Sequence, residues 1–155
     1  MGRATARRND YNAVMSDTKP VQRTLRLRQE TADRLDAAAA RSAESTNAVA
    51  DRLLLEALRL QDHPLVQFRT GASGHREPHL VGTRLKVRDI IATARGHQGD
   101  IQVTAAYFDL PVPIVDAAIA YYAEFTDEID TANADAARYA DEQRQRWERQ
   151  QALLS

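Results

Sequence analysis

At 155 residues and 17.3 kDa the chain has room for one ordinary domain, or for two very small ones with tails. Hydrophobic residues at 43% against 28% charged predict a folded protein, and 6% aromatics restrict its cores to small aliphatic side chains. The lack of cysteine excludes a disulfide scaffold and thiolate zinc sites, and no uncharged apolar run reaches the roughly 18 residues of a membrane span. Met1 to Asn9 holds arginines with no apolar stretch behind them, so a secretory signal is not expected and a cytoplasmic location is.

The net charge of −1 conceals an asymmetry. Up to Gln29 there are seven basic residues against two acidic ones, a balance of +5. Between Asp109 and Glu142 nine acidic residues stand against Arg138 alone, a balance of −8. The first end suits a polyanion and the second is repelled by one.

Residues 1–20 have no hydrophobic period and read as a flexible basic arm ending in Lys19-Pro20. In the alternating run that follows, Leu25 and Leu27 point one way while Thr24, Arg26 and Arg28 point the other, which predicts a short strand. A helical pattern then runs from about Thr31 to Ser42, with Leu35, Ala38 and Ala39 on one face. Ser45-Thr46-Asn47 supplies an N-cap for a second helix to about Gln61, its apolar stripe being Val49, Leu53, Leu54, Ala57 and Leu60.

Leu65 to Phe68 and Leu85 to Val87, separated by Gly71, Gly74 and Gly82, suggest short strands joined by turns. Helices are predicted over roughly 88–97, 101–108 and 112–125, and a polar one from near Glu128 to Leu154 striped by Ile129, Ala132, Ala136, Tyr139, Gln143 and Trp147. The resulting division is an arm (1–20), a strand-helix-helix unit (21–62), a linker with a short strand (63–79), a helical domain (80–127) and a C-terminal helix (128–155).

A strand with two helices buries too little surface to stand alone, and a lone strand has two unpaired edges. Two copies pairing antiparallel remove both problems, with Thr24, Arg26 and Arg28 on the outer face of a ribbon that fits the DNA major groove. Thr24-Leu25-Arg26-Leu27-Arg28, the helix with Leu35 and Ala38-Ala39, and Ser45-Thr46-Asn47-Ala48-Val49 leading into Leu53 to Leu58 resemble the ribbon-helix-helix repressors (CopG, Arc and MetJ). Ala43 stands where that family usually carries glycine.

The resemblance implies base contacts by Thr24, Arg26 and Arg28 and phosphate contacts by Thr46 and Asn47, to which Ser45, Arg23 and Lys19 are added as neighbouring donors. It also implies a homodimer or higher assembly with a core of Leu25, Leu27, Leu35, Val49 and Leu53. From about 65 to 130, the Gly82-Thr83-Arg84-Leu85-Lys86-Val87 stretch and the Ala120-Tyr121-Tyr122 helix are similar to VapB-like antitoxin domains of uncharacterised type, often encoded beside nuclease toxins.

Residues 101–124 have a helix-turn-helix outline, but Pro113 to Glu124 holds two acids and no Lys, Arg, Asn or Gln, so a second DNA-reading surface is not expected. Tyr139 and Trp147 on the polar tail are candidate partner-binding residues. The four histidines, His63, His75, His79 and His97, lie in or beside turns without metal-ligand spacing, and Thr70 to Gly74 lacks the Lys-Ser/Thr of a phosphate loop.

Neither an enzyme nor a cofactor is expected. The expected fold class is mainly α: a ribbon-helix-helix unit of one strand and two helices forming an intertwined dimer, then a small helix-turn-helix-like domain with a short hairpin and a long C-terminal helix. The expected function is a cytoplasmic repressor, an antitoxin that reads double-stranded operator DNA and holds a nuclease-like toxin. A regulator without a toxin, whose second domain oligomerises or senses a ligand, is one alternative. A pure interaction protein with no DNA role is another.

Overall fold

The computed structural model describes residues 21–71, 74 and 76–153. The basic arm with Lys19, His75 and most of the loop between Gly71 and Gly74 therefore lie outside the described residues. The chain divides into two compact units, the first ending at Val49 and the second beginning at Ala50.

In the first unit, residues 21–28 are exposed throughout and form neither strand nor helix. Alternation of Leu and Arg orients side chains, yet a strand exists only where a neighbour takes up its N–H and C=O groups. Arg28, in extended conformation, opens helix α1 (Gln29–Ser42), which buries Ala39 and half-buries Leu35 and Ala38. Ala43 ends α1 in the left-handed region at φ 55°. Helix α2 (Thr46–Asp62) follows, with Ser45 Oγ accepting from Ala48 N at 3.2 Å and Thr46 Oγ1 donating to Asp36 of α1 at 3.1 Å.

The second unit continues through a hairpin of β1 (Val66–Thr70) and β2 (Arg76–Leu80), antiparallel, with Val66 opposite Leu80 and Thr70 opposite Arg76. Pro78 is tolerated in β2 because a two-stranded sheet has only edge strands. Leu85 to Val87, expected as a strand, makes a single bridge between Lys86 and His79 and then enters α3 (Val87–Gly96). The intervening turn places Gly82 at φ 75°, and Thr83 Oγ1 donates to Leu80 O at 3.0 Å while accepting from Leu85 N at 3.0 Å.

Helices α4 (Ile101–Phe108), α5 (Val112–Glu124) and α6 (Thr126–Ala152) complete the unit. Asp100 caps α4 by accepting from Val103 N at 3.0 Å. The core gathers Val66, Leu80, Val87, Ile90, Ile91, Ala105, Val115, Ala118, Tyr121 and Ile129 from both strands and all four helices. α3 packs on α5 and α6, and the hairpin lies against α3 and α5.

The chain is mainly α, with two helices ahead of a β-hairpin that is the only sheet among the described residues. This order corrects the expected fold class and the ribbon-helix-helix likeness, which require a strand first. No single helix among the described residues is long and apolar enough to cross a membrane.

Candidate functional site

The segment of α2 that belongs to the second unit, Ala50 to Asp62, carries two rows at helical spacing. Arg52, Glu56 and Arg59, with His63 just past the helix end, follow one another at four, three and four residues and share one face. Leu53 and Ala57, beside Leu54 and Leu58, form the opposite face. Hydrophobicity alone puts the leucines inward. In the structure only Leu55 and Leu60 are half-buried, and Leu53, Leu54 and Leu58 face outward.

Glu56 is only 8% exposed and takes a two-pronged contact from Arg76 of β2, at 2.7 Å to each carboxylate oxygen. Arg76 also donates to Phe68 O at 3.1 Å, and Arg52 Nη1 lies 3.8 Å from Glu56. One turn on, Arg59 Nη1 donates to Glu128 Oε2 of α6 at 2.6 Å and to the Tyr121 hydroxyl of α5 at 2.9 Å. Its guanidinium carbon is 4.0 Å from the centre of the Phe125 ring. Tyr121 in turn donates to Glu128 Oε1 at 3.1 Å. His63 Nε2 lies 2.8 Å from Glu124 Oε2, its ring edge-on to Tyr121 and Phe125.

Burial disfavours the charge on Arg59, and the hydrogen bond and negative charge of Glu128 outweigh it, so its pKa is raised. Burial pushes the Tyr121 hydroxyl up as well, reinforced by the charge of Glu128 and opposed by Arg59. The cluster holds a base, an acid, a phenol and a guanidinium, but each of these groups is already engaged by another. It serves as an anchor. Among the described residues no group of three or more His, Cys, Asp or Glu side chains is placed to hold a metal ion.

Because the anchor turns the charged row inward, Leu53, Leu54 and Leu58 remain 41%, 51% and 59% exposed. Ala57 between them is exposed, and Leu60 is half-buried. This outward leucine face is the candidate functional surface. Its charged counterpart, Arg52, Glu56, Arg59 and His63, was missed from the sequence although its helical spacing is a local signal, and the partners that draw it inward leave no local signal at all.

Of the residues singled out from the sequence, Arg23, Thr24, Arg26 and Arg28 lie exposed in the extended segment. Ser45 and Thr46 spend their hydroxyls on Ala48 N and Asp36, and Asn47 is exposed. Of the expected dimer core, Val49 is fully buried within the chain and Leu35 half-buried, while Leu25, Leu27 and Leu53 are exposed. Tyr139 and Trp147 are exposed on α6, Trp147 nineteen residues beyond Glu128, or roughly 28 Å along the axis. His79 is buried, with Nδ1 3.0 Å from Glu77 O.

No family model, curated protein or solved structure matches the chain. The likeness to VapB-like domains thus has no family support, and among the described residues the segment expected to form the DNA-reading ribbon is not a strand and two helices precede the only sheet. The expected repressor and antitoxin function, its operator and toxin partners and its ribbon-paired dimer are corrected on these two grounds, as is the toxin-free regulator built on the same ribbon.

Proposed function

We propose that the protein is a non-catalytic interaction protein whose working surface is the outward leucine face of α2, and that it acts in the cytoplasm. One observation carries this reading: a helix with a charged row and a leucine row turns the charged row into its own domain. Burying ion pairs is a weak source of stability, while burying one leucine contributes roughly 1.5–3 kcal/mol. A fold that leaves three of the five leucines of α2 outward while desolvating Glu56 and Arg59 is organised around a surface that something else covers. The engagement of Tyr121, His63 and Glu128 in the anchor supports a structural role for this cluster.

The test uses the full chain carrying a photoreactive side chain at Leu58 and, as control, at Arg138 on the exposed part of α6. Irradiation in the expressing cell is expected to yield covalent protein adducts at position 58 and none at 138. Absence of adducts at 58, or equal yields at both, overturns the reading.

A further inference from the structure

We infer that residues 21–28 are a processing site, cut by an arginine-specific endopeptidase at the bond between Arg26 and Leu27. The site is independent of the leucine face of α2 and adds a covalent step to it.

The first argument is backbone availability. An endopeptidase holds its substrate as an added strand, so the chain on both sides of the bond must be extended, with N–H and C=O groups free. Residues 21–28 are exposed throughout and belong to no helix or strand. Among the described residues their one backbone hydrogen bond is at the far end, where Arg28 O accepts from Ala32 N at 3.1 Å. Every later arginine except Arg84 lies in a helix or a strand. Arg84 is exposed in a turn, but the residue after it is tied down at both backbone groups. Leu85 N donates to Thr83 Oγ1 and Leu85 O accepts from Leu80 N, each at 3.0 Å.

The second argument is the chemistry of the cut residue. Arg23, Arg26 and Arg28 are exposed, with no acidic residue between Val21 and Gln29 to engage them and no proline after any of the three. A free guanidinium is what a carboxylate at the base of a peptidase specificity pocket selects. Arg28 is excluded because Gln29, the next residue, begins α1. Arg26 has a longer extended run ahead of it than Arg23, and a cut there leaves Arg28, the residue that opens α1, in place.

The step is a hydrolysis. Water adds across the Arg26–Leu27 amide, the C–N bond breaks, and the products are a carboxylate on Arg26 and an ammonium on Leu27. Residues 1–26 carry six basic side chains against two acidic ones, so the side-chain charge of the remaining chain falls from −1 to −5. Processing thus removes the end that suits a polyanion and keeps the part that one repels.

Trypsin, in catalytic amount on the purified full chain, is the probe. Arg26–Leu27 is expected to be cut roughly tenfold or more faster than Arg84–Leu85, where two hydrogen bonds must open first. Mass spectrometry of the protein drawn from its native cells is expected to show a chain that begins at Leu27. Arg26→Gln, at an exposed position outside every helix and strand, should abolish that terminus in both settings with unchanged far-UV circular dichroism. Equal cutting at the two bonds overturns the inference. So does a native protein without the Leu27 terminus, however readily trypsin makes it, and so does a Leu27 terminus that persists in cells carrying Arg26→Gln.

Discussion

Glu56 and Arg76 face each other fork to fork, both nitrogen–oxygen distances being 2.7 Å, and this pair is one of three that hold the charged side of α2 inward. Removing one partner of a buried pair leaves an uncompensated charge and costs about 3–5 kcal/mol. Arg76 is 31% exposed, and Arg52 stands near Glu56, so Arg76→Ala is expected to lose about 2–3 kcal/mol after allowing for solvent. Denaturant unfolding of the full chain measures it. A loss below about 0.5 kcal/mol would class the pair with ordinary surface ion pairs.

The Tyr121 hydroxyl makes stability depend on alkaline pH. Its pKa is raised above the unfolded value of about 10, so the folded state keeps the proton longer. The resulting stabilisation is complete below about pH 10 and is lost as pH rises from there towards the folded pKa. The melting temperature should fall above that point, and less so in Tyr121→Phe, which starts lower by about 1–3 kcal/mol because Arg59 and Glu128 lose a partner. Parallel pH profiles for the two proteins would refute this.

Ala43 ends α1 at φ 55°, ψ 26°, a conformation that glycine reaches without steric cost. Ala43→Gly should raise stability by about 0.5–1 kcal/mol, the relief in the folded state exceeding the added freedom of the unfolded chain. Circular dichroism at the helical band during a denaturant titration reads the change. Destabilisation would mean that the methyl group does something there besides strain the turn.

Leu80 is fully buried where the hairpin meets the helices, whereas Leu65, one residue before β1, is 36% exposed. Leu80→Ala should cost about 2–5 kcal/mol and Leu65→Ala less than half as much. Differential scanning calorimetry separates them. Similar costs would place the hydrophobic centre elsewhere.

The six helices were legible to within about two residues because their apolar spacing, the Ser45 cap and the Pro111 break are local signals. The strand at 21–28 was misread because alternation records which side chains share a face and says nothing of whether a neighbouring strand exists. The second hairpin strand was misplaced for the opposite reason: Arg76 to Leu80, with Pro78 in it, lacks alternation, and its pairing with β1 is set by tertiary context. The orientation of α2 was illegible locally. Arg52, Glu56, Arg59 and His63 repeat with the same period as the leucines, and the choice between faces belongs to Arg76, Glu124 and Glu128, up to sixty-nine residues further on.

The chain's only tryptophan, Trp147, is 60% exposed near the far end of α6, past Ile129 and Ala132, the last residues of that helix to be buried. Indole emission therefore reports the fraying of a solvated rod and is blind to the melting of the packed interior. A fluorescence transition and a calorimetric one need not coincide even when the interior melts in a single step.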